Sequence, residues 1–556
     1  MGRREDALDN AGCEEKVCMK IHRPSLLSAL AFLGLALPWL NPFSPGPTPN
    51  VVPWLAALAG FAVMLPWLAR ARPAQVAALA ASAWLLVALL SALLGLLQYF
   101  GATGALEPWV NSTGLGEAYA NLRQRNQFAT LTNIGLAALL WWVAQGSATP
   151  DVAGASPRSS SLNWRTLMPL AAAALLALGN AASSSRTGLV QLLLLTLLAA
   201  VWRASGWRQP AVRRVLLVAV LAYAVGAVAL PLLAGRDLHA SGMLARLQVG
   251  DSACASRLTL WANVLHLIAQ KPWFGWGWGE LDYAHFITLY PGRRFCDILD
   301  NAHNLPLHLA VELGLPLAAA LCGTGLWLIA RAKPWRELDA TRQLAWSVLA
   351  LILLHSLLEY PLWYGPFQLA FGLSVWLLWR HAAPSSPQRF KRFEPLAPVL
   401  PSLAAMLMLV FVAYTAWDYE RVSQLYLSPS MRAEVYREHP LEKIQSSWLF
   451  QDQLRFAELT TTALTAANAA HLHQLALALL HFSPEPRVIQ KLIDSATLLG
   501  RLEEAQFYRL RYQAAFPDSL ASWASGTPQA KTEADPENAM SLPTSAVVNR
   551  IIRRRR

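Results

Sequence analysis

Eleven long apolar runs decide what this chain can fold into. They fall near residues 25–40, 51–69, 74–100, 128–144, 166–182, 188–202, 215–234, 304–330, 343–358, 365–379 and 397–417. A helix that crosses a bilayer needs about 20 mostly apolar residues. Only 14% of the 556 residues are charged and 55% are hydrophobic, whereas a soluble domain carries about 25% charged residues. The expected fold class is therefore all-α, a polytopic membrane bundle of about eleven transmembrane helices. The first run has no small-residue cleavage site after it, and "WLNPFSPGPTP" follows as a tight loop. It reads as a retained anchor rather than a secretory signal.

The net charge of +12 would suit a nucleic-acid binder if it were unsorted, but it is sorted by loop. Cytoplasmic loops of membrane proteins carry the excess of Lys and Arg. Arg3, Arg4, Lys16, Lys20 and Arg23 precede the first run, and loops of the same parity hold Arg70 and Arg72, Arg158 and Arg165, Arg331 and Lys333, and Arg389 to Arg392. The opposite loops are poor: 41–50 and 359–364 have no base, and 183–187 has Arg186 alone. This alternation puts the N-terminus in the cytoplasm and implies no nucleic-acid partner. The expected organisation is a cytoplasmic tail 1–24, a transmembrane domain 25–417 with an outer loop at about 235–303, a helical-hairpin domain 418–523 on the outer side, and a disordered, basic-ended tail 524–556. In the helical domain, apolar residues recur three and four apart, as in a loose helical repeat. Cys254 and Cys296 share the outer loop, where a disulfide is permitted, and they are expected to pair; two unpaired thiols are the plain alternative.

Four polar clusters stand at the outer ends of runs. In "NLRQRNQFATL", Arg123, Gln124, Arg125, Asn126 and Gln127 precede the fourth run. A helix start rich in donors suits an anion or a sugar, or equally a lipid headgroup. In "SSSRTG", Arg186 is the sole base of a short turn, and its fork of donors suits a phosphate or a structural ion pair. Arg257 opens an amphipathic helix that stops at Lys271 and Pro272; Trp276 and Trp278 then alternate with glycines. These indoles can stack on sugar faces or sit in the headgroup belt. Finally, "DNAHNLPLHLAVELG" puts His303 at the outer start of a run, with Asp300 or Asn304 able to fix its tautomer. Histidine is the side chain best able to take a proton near neutral pH. "HSLLEYPLWY" puts His355 and Glu359 four apart on one helix face, with Tyr360 and Tyr364 after them. These could support the site or hold helices together.

Taken in this order, the motifs resemble the bacterial O-antigen ligase and polymerase superfamily, more narrowly its protein O-oligosaccharyltransferase branch. The segment "LIDSATLLGRLEEAQFYRLRYQAAFP" is similar to the C-terminal domain of that branch, so the resemblance spans roughly residues 25–520. It implies glycosyl transfer without metal or cofactor on the periplasmic side of a bacterial inner membrane. The donor would be a glycan on undecaprenyl diphosphate and the acceptor a Ser or Thr hydroxyl of an exported, pilin-like protein. In the sister branches the acceptor is a lipid A-core sugar or another lipid-linked repeat. The resemblance carries the motif arginines onto Arg186 and Arg257 and the motif histidine onto His303, with Gln124, Asn126 and Tyr364 as softer matches. The first outer loop, "NPFSPGPTPN", lacks the fuller aromatic and acidic pattern of the pilin enzymes. In the implied mechanism the two arginines stabilise the departing diphosphate, His303 takes the acceptor's proton, and the anomeric carbon is inverted. A transporter or flippase for the same lipid would instead place ionisable groups near mid-span. A scaffold would work through its helical tail with the arginines dispensable.

Overall fold

The computed structural model describes residues 25–111, 113–122, 124–146, 164–202, 209–238, 242–248, 254–382 and 399–524. The expected tail 1–24 lies outside the described residues, as do Arg158, Arg389 to Arg392 and all of the expected tail 524–556 except Ala524. Within the described residues the chain is helical, with no strand.

Every one of the eleven apolar runs is helical. The bundle opens with α1 (Leu26–Leu40), α2 (Val51–Leu68), α3 (Pro73–Tyr99), α4 (Arg125–Gly146), α5 (Trp164–Ala182), α6 (Arg186–Val201) and α7 (Pro210–Leu233). Three short helices follow in the loop after α7: α8 (Gly242–Gln248), α9 (Arg257–Gln270) and α10 (Leu281–Ile287). The chain then re-enters the bundle through α11 (Leu305–Leu313), α12 (Leu315–Ala332), α13 (Ala340–Ser356), α14 (Gly365–Ala382) and α15 (Val399–Ser423). Of these, α2, α3, α4, α7, α12 and α15 are long and apolar enough to cross a membrane, and α1, α5 and α6 are shorter apolar helices. The chain is a multi-pass membrane protein.

Small residues let the first helices approach closely. A Cβ on Gly34 of α1 would lie 2.6 Å from the carbonyl oxygen of Gly60 on α2, so only glycine fits that crossing. The bundle's core gathers Trp39, Trp84, Phe128, Leu131, Leu176, Val348 and Phe367, all nearly inaccessible. At its centre stands α4, which packs against α3, α5, α6 and α13 and is buried over almost its whole length. In contrast, α12 touches chiefly α11 and buries only Ala318.

The run 304–330 was expected as one helix, and the structure breaks it at Gly314. There φ is +84°, a conformation glycine adopts without penalty. The break leaves carbonyls without helical partners, and the loop after α9 supplies them. The amides of Trp276 and Gly277 donate to the carbonyls of Val311 and Glu312 at 2.8 and 3.0 Å, and the amide of Leu315 donates to Pro272 at 2.8 Å. The "KPWFGWGWG" loop is thus the backbone partner of a broken helix.

The loops expected on the outer side converge on one end of the bundle. Asn121 donates to the carbonyl of Trp39 at 2.7 Å, Arg236 to that of Leu115 at 2.6 Å, and the Tyr419 hydroxyl to that of Thr48 at 2.8 Å. Cys254 and Cys296 form a disulfide with Cα atoms 5.3 Å apart. The C-terminal module, α16 (Pro440–Ile444), α17 (Gln451–Thr461), α18 (Ala469–Leu479), α19 (Pro486–Leu498), α20 (Leu502–Ala515) and α21 (Pro517–Ala524), sits at the same end. It docks on α10: Arg511 Nε donates to the carbonyl of Ile287 at 2.8 Å, and the His481 ring stacks on Tyr283 with centroids 3.9 Å apart. The preceding α15 continues to Ser423, past the expected end of its run at 417.

Candidate active site

The polar clusters of α4, α6, α9, α11 and α13 meet on one carboxylate. Glu359 lies in the turn after α13 and is buried. Its Oε1 accepts from Arg257 Nη2 and from Asn126 Nδ2, the latter at 3.1 Å, and its Oε2 pairs with His303 Nδ1 at 2.7 Å. Each partner is set by a local cap. Ser256 caps α9 by accepting from the amide of Thr259 at 3.2 Å, which places Arg257 in the first turn. Asn304 caps α11 by accepting from the amide of Leu307 at 3.1 Å, and its Nδ2 donates to the carbonyl of Leu357 at 3.0 Å. His303 just before it has φ +49°, a left-handed conformation uncommon outside glycine. The Asn301 side chain holds that turn by accepting from the His303 amide at 2.8 Å.

The turn carrying Arg186 joins the same network. Ser185 caps α6 and donates its hydroxyl to Asn126 Oδ1 at 2.6 Å. Two hydrogen bonds therefore connect Ser185, the neighbour of Arg186, to Glu359. Below lies a second polar layer inside the bundle, in which Thr130 meets His355 Nδ1 at 2.9 Å and Gln191 donates to Thr130 at 3.0 Å and to the carbonyl of Leu351 at 2.9 Å.

Charge in this cluster is strongly biased. Burial alone would raise the Glu359 carboxyl, but the hydrogen bond from His303 and the charges of His303 and Arg257 bring it down to about 2. Burial alone would lower the His303 imidazole; the Glu359 carboxylate outweighs it and holds the ring above its ordinary value. A carboxylate bonded to Nδ1 fixes the tautomer and stabilises the imidazolium that forms when Nε2 takes a proton. The buried Nε of Arg257 has no hydrogen-bond partner among the described residues, so this guanidinium keeps a donor in hand for an anion.

Several sequence expectations change. His303 was given Asp300 or Asn304 as its orienting partner; Glu359 takes that place, and Asn304 serves the helix start. His355 and Glu359 were put on one helix face, but α13 ends at Ser356. Their side chains part, His355 to Thr130 and Glu359 to the cluster. Arg125 pairs with Glu117 at 3.8 Å, and Gln124 caps α4 by accepting from the Gln127 amide at 2.7 Å; Arg123 lies outside the described residues. Trp276 donates its indole N–H to the carbonyl of Leu267 at 3.0 Å, with Lys271 Nζ 4.0 Å from its ring centre. Tyr360 packs edge-on to His303 with centroids 5.0 Å apart and stacks on Tyr364 at 6.0 Å. The residue that sequence reasoning undervalued is Glu359, and its signal was an acidic side chain in an otherwise uncharged outer turn.

Three family models match segments that each contribute to this cluster. Residues 118–143 match a protein glycosylation ligase model, 171–322 an O-antigen ligase model, and 343–531 the C-terminal model of a virulence factor membrane-bound polymerase. Together these matches support a likeness to the O-antigen ligase superfamily. The first matched segment carries Asn126, the second Arg186, Arg257 and His303, and the third Glu359. Among curated proteins, a general O-oligosaccharyltransferase of Acinetobacter baylyi is 27% identical over 308 residues. That match covers 52% of this chain and 49% of the relative, so the chain spans about half the length of the relative it matches. No solved structure matches the chain significantly.

Proposed function

We propose that this chain is a glycosyltransferase that moves a glycan from undecaprenyl diphosphate to Ser or Thr hydroxyls of exported proteins, pilins among them. The reaction runs on the periplasmic side of a bacterial inner membrane, with the eleven apolar helices as spans, the N-terminus cytoplasmic and the α16–α21 module outside. The observation that carries this reading is the single carboxylate of Glu359 joining Arg257 to His303. Arg257 and Arg186 receive the negative charge that grows on the leaving diphosphate, a contact stronger in the transition state than before it. With Nδ1 committed to Glu359, His303 takes the acceptor proton at Nε2. The acceptor oxygen bonds to the anomeric carbon as the carbon–oxygen bond to the diphosphate breaks, which inverts the centre. The name of the A. baylyi relative and a helical module able to offer a protein partner a concave face favour a protein acceptor.

The test is deletion of the gene followed by mass spectrometry of exported proteins and lipopolysaccharide. Loss of a glycan from an exported protein, restored by the wild-type gene, is the expected result. Loss of O-chain with protein glycans intact would assign the chain to ligase or polymerase chemistry instead.

A further inference from the structure

The loop that mends the broken helix also displays an aromatic side chain that the diphosphate and proton chemistry does not use. Trp278 is 70% exposed, yet its backbone is clamped on both sides. The Gly277 amide donates to the Glu312 carbonyl and the Gly279 amide to Glu312 Oε1, each at 3.0 Å. Next to it lies His308, ring centroids 6.4 Å apart. His308 is 3% exposed, and neither ring nitrogen has a hydrogen-bond partner among the described residues; Glu312 Oε2 stands 3.5 Å from Nε2. A buried polar ring left unpaired is costly and calls for an explanation. From His308 the rings continue to Trp363 at 5.6 Å, to Tyr360 at 5.5 Å and to His303 at 5.0 Å. A tryptophan that only anchored a loop in headgroups would need neither the double clamp nor an unpaired imidazole beside it. A sugar uses a ring face held in this way, since its own ring face is apolar.

We propose that Trp278, Trp363 and Tyr360, with buried His308 packed between the two indoles, form a saccharide track that holds the second and later sugars of the lipid-linked donor. This rests on the glycosyl-transfer reading above. The order of the side chains supports the donor as the source: Arg257, Glu359, His303, Tyr360, Trp363 and, across His308, Trp278 succeed one another, as diphosphate, reacting sugar and outer sugars do along the donor. Trp278 offers an exposed ring face, while buried His308 and Glu312 fix the loop that carries it.

The full-length protein in phospholipid vesicles is assayed with undecaprenyl diphosphate carrying either one sugar or three. Trp278→Ala is expected to raise KM for the three-sugar donor about tenfold, the worth of one good stacking contact, with a much smaller change for the one-sugar donor. Trp278→Phe, which keeps a ring face, restores most of the loss, and Trp278→Leu does not. Equal loss with both donors overturns the track. Full activity of the leucine variant also overturns it, and marks Trp278 as a lipid anchor. A KM change that follows a sugar acceptor rather than donor length overturns the donor assignment. Each of these leaves wild-type transfer intact, whereas a wild-type protein that transfers neither glycan overturns the glycosyl-transfer reading itself.

Discussion

Helices α4 and α12 look alike as apolar stretches and do opposite things. Almost all of α4 is buried, and its inward positions include Asn126, Gln127, Thr130, Thr132 and Asn133. Nearly all of α12 faces outward, with Leu326, Trp327 and Leu328 more than half exposed. In water the apolar helix would be the buried one. In lipid no hydrophobic force drives helices together, so apolar surface can face the tails and the amides must turn inward to find partners. The difference teaches where to look in such a chain: polar residues within an apolar run mark the interior, and one end of that interior holds the candidate cluster.

The largest expected effect comes from removing the head of the cluster. His303→Ala, Arg257→Ala and Glu359→Ala should each reduce transfer by about a hundredfold or more, the usual scale for a general base or an oxyanion contact, while the protein accumulates in the membrane as wild type. Transfer is measured as glycosylated acceptor per unit of enzyme. A Glu359→Ala variant with near wild-type transfer would remove the carboxylate from the mechanism.

The sign of the pH dependence follows from the same cluster. In the proposed mechanism transfer needs His303 unprotonated, and Glu359 holds its pKa above the ordinary 6.5. Activity should therefore rise with pH through an inflection above 6.5. In Glu359→Gln the carboxylate is gone, and burial and the Arg257 charge both push the imidazole down. The residual activity of that variant should persist to lower pH than in the wild type. An inflection that stays put would detach His303 from the titration.

Much of this was legible in the sequence, and what was not has a physical reason. Every apolar run became helix because in lipid an unpaired backbone has no other solution of that length. The break at Gly314 was missed because the cause lies in a different segment: the loop at 272–277 must arrive before the freed carbonyls can be satisfied. Glu359 was undervalued for the same reason. Its partners Arg257 and Asn126 are 102 and 233 residues away in the chain, so the window that showed His355 four residues before it offered the wrong neighbour. Arg186, Arg257 and His303 could be named because each follows a sharp composition change at a helix start, a feature local enough to read.

Within α4 the polar layer can be broken without touching the cluster's charges. Thr130→Val removes the hydroxyl that meets His355 and Gln191, and leaves buried polar atoms on both without that partner. The expected cost is on the order of 1–3 kcal/mol, seen as a lower midpoint of thermal unfolding in detergent, with transfer reduced less than in any of the cluster variants.

The comparison sharpens at its weakest point with one leucine from each helix. Leu131 of α4 is fully buried, and Leu326 of α12 is 68% exposed. Leu131→Ala opens a cavity among packed helices and should cost about 2–5 kcal/mol. Leu326→Ala exchanges contact with lipid tails for contact with lipid tails, and should change stability by no more than about 0.5 kcal/mol. Thermal unfolding of the two variants side by side checks both. A Leu326→Ala variant as unstable as Leu131→Ala would mean that α12 is covered by something in the membrane, and the outward reading of that helix would have to be given up.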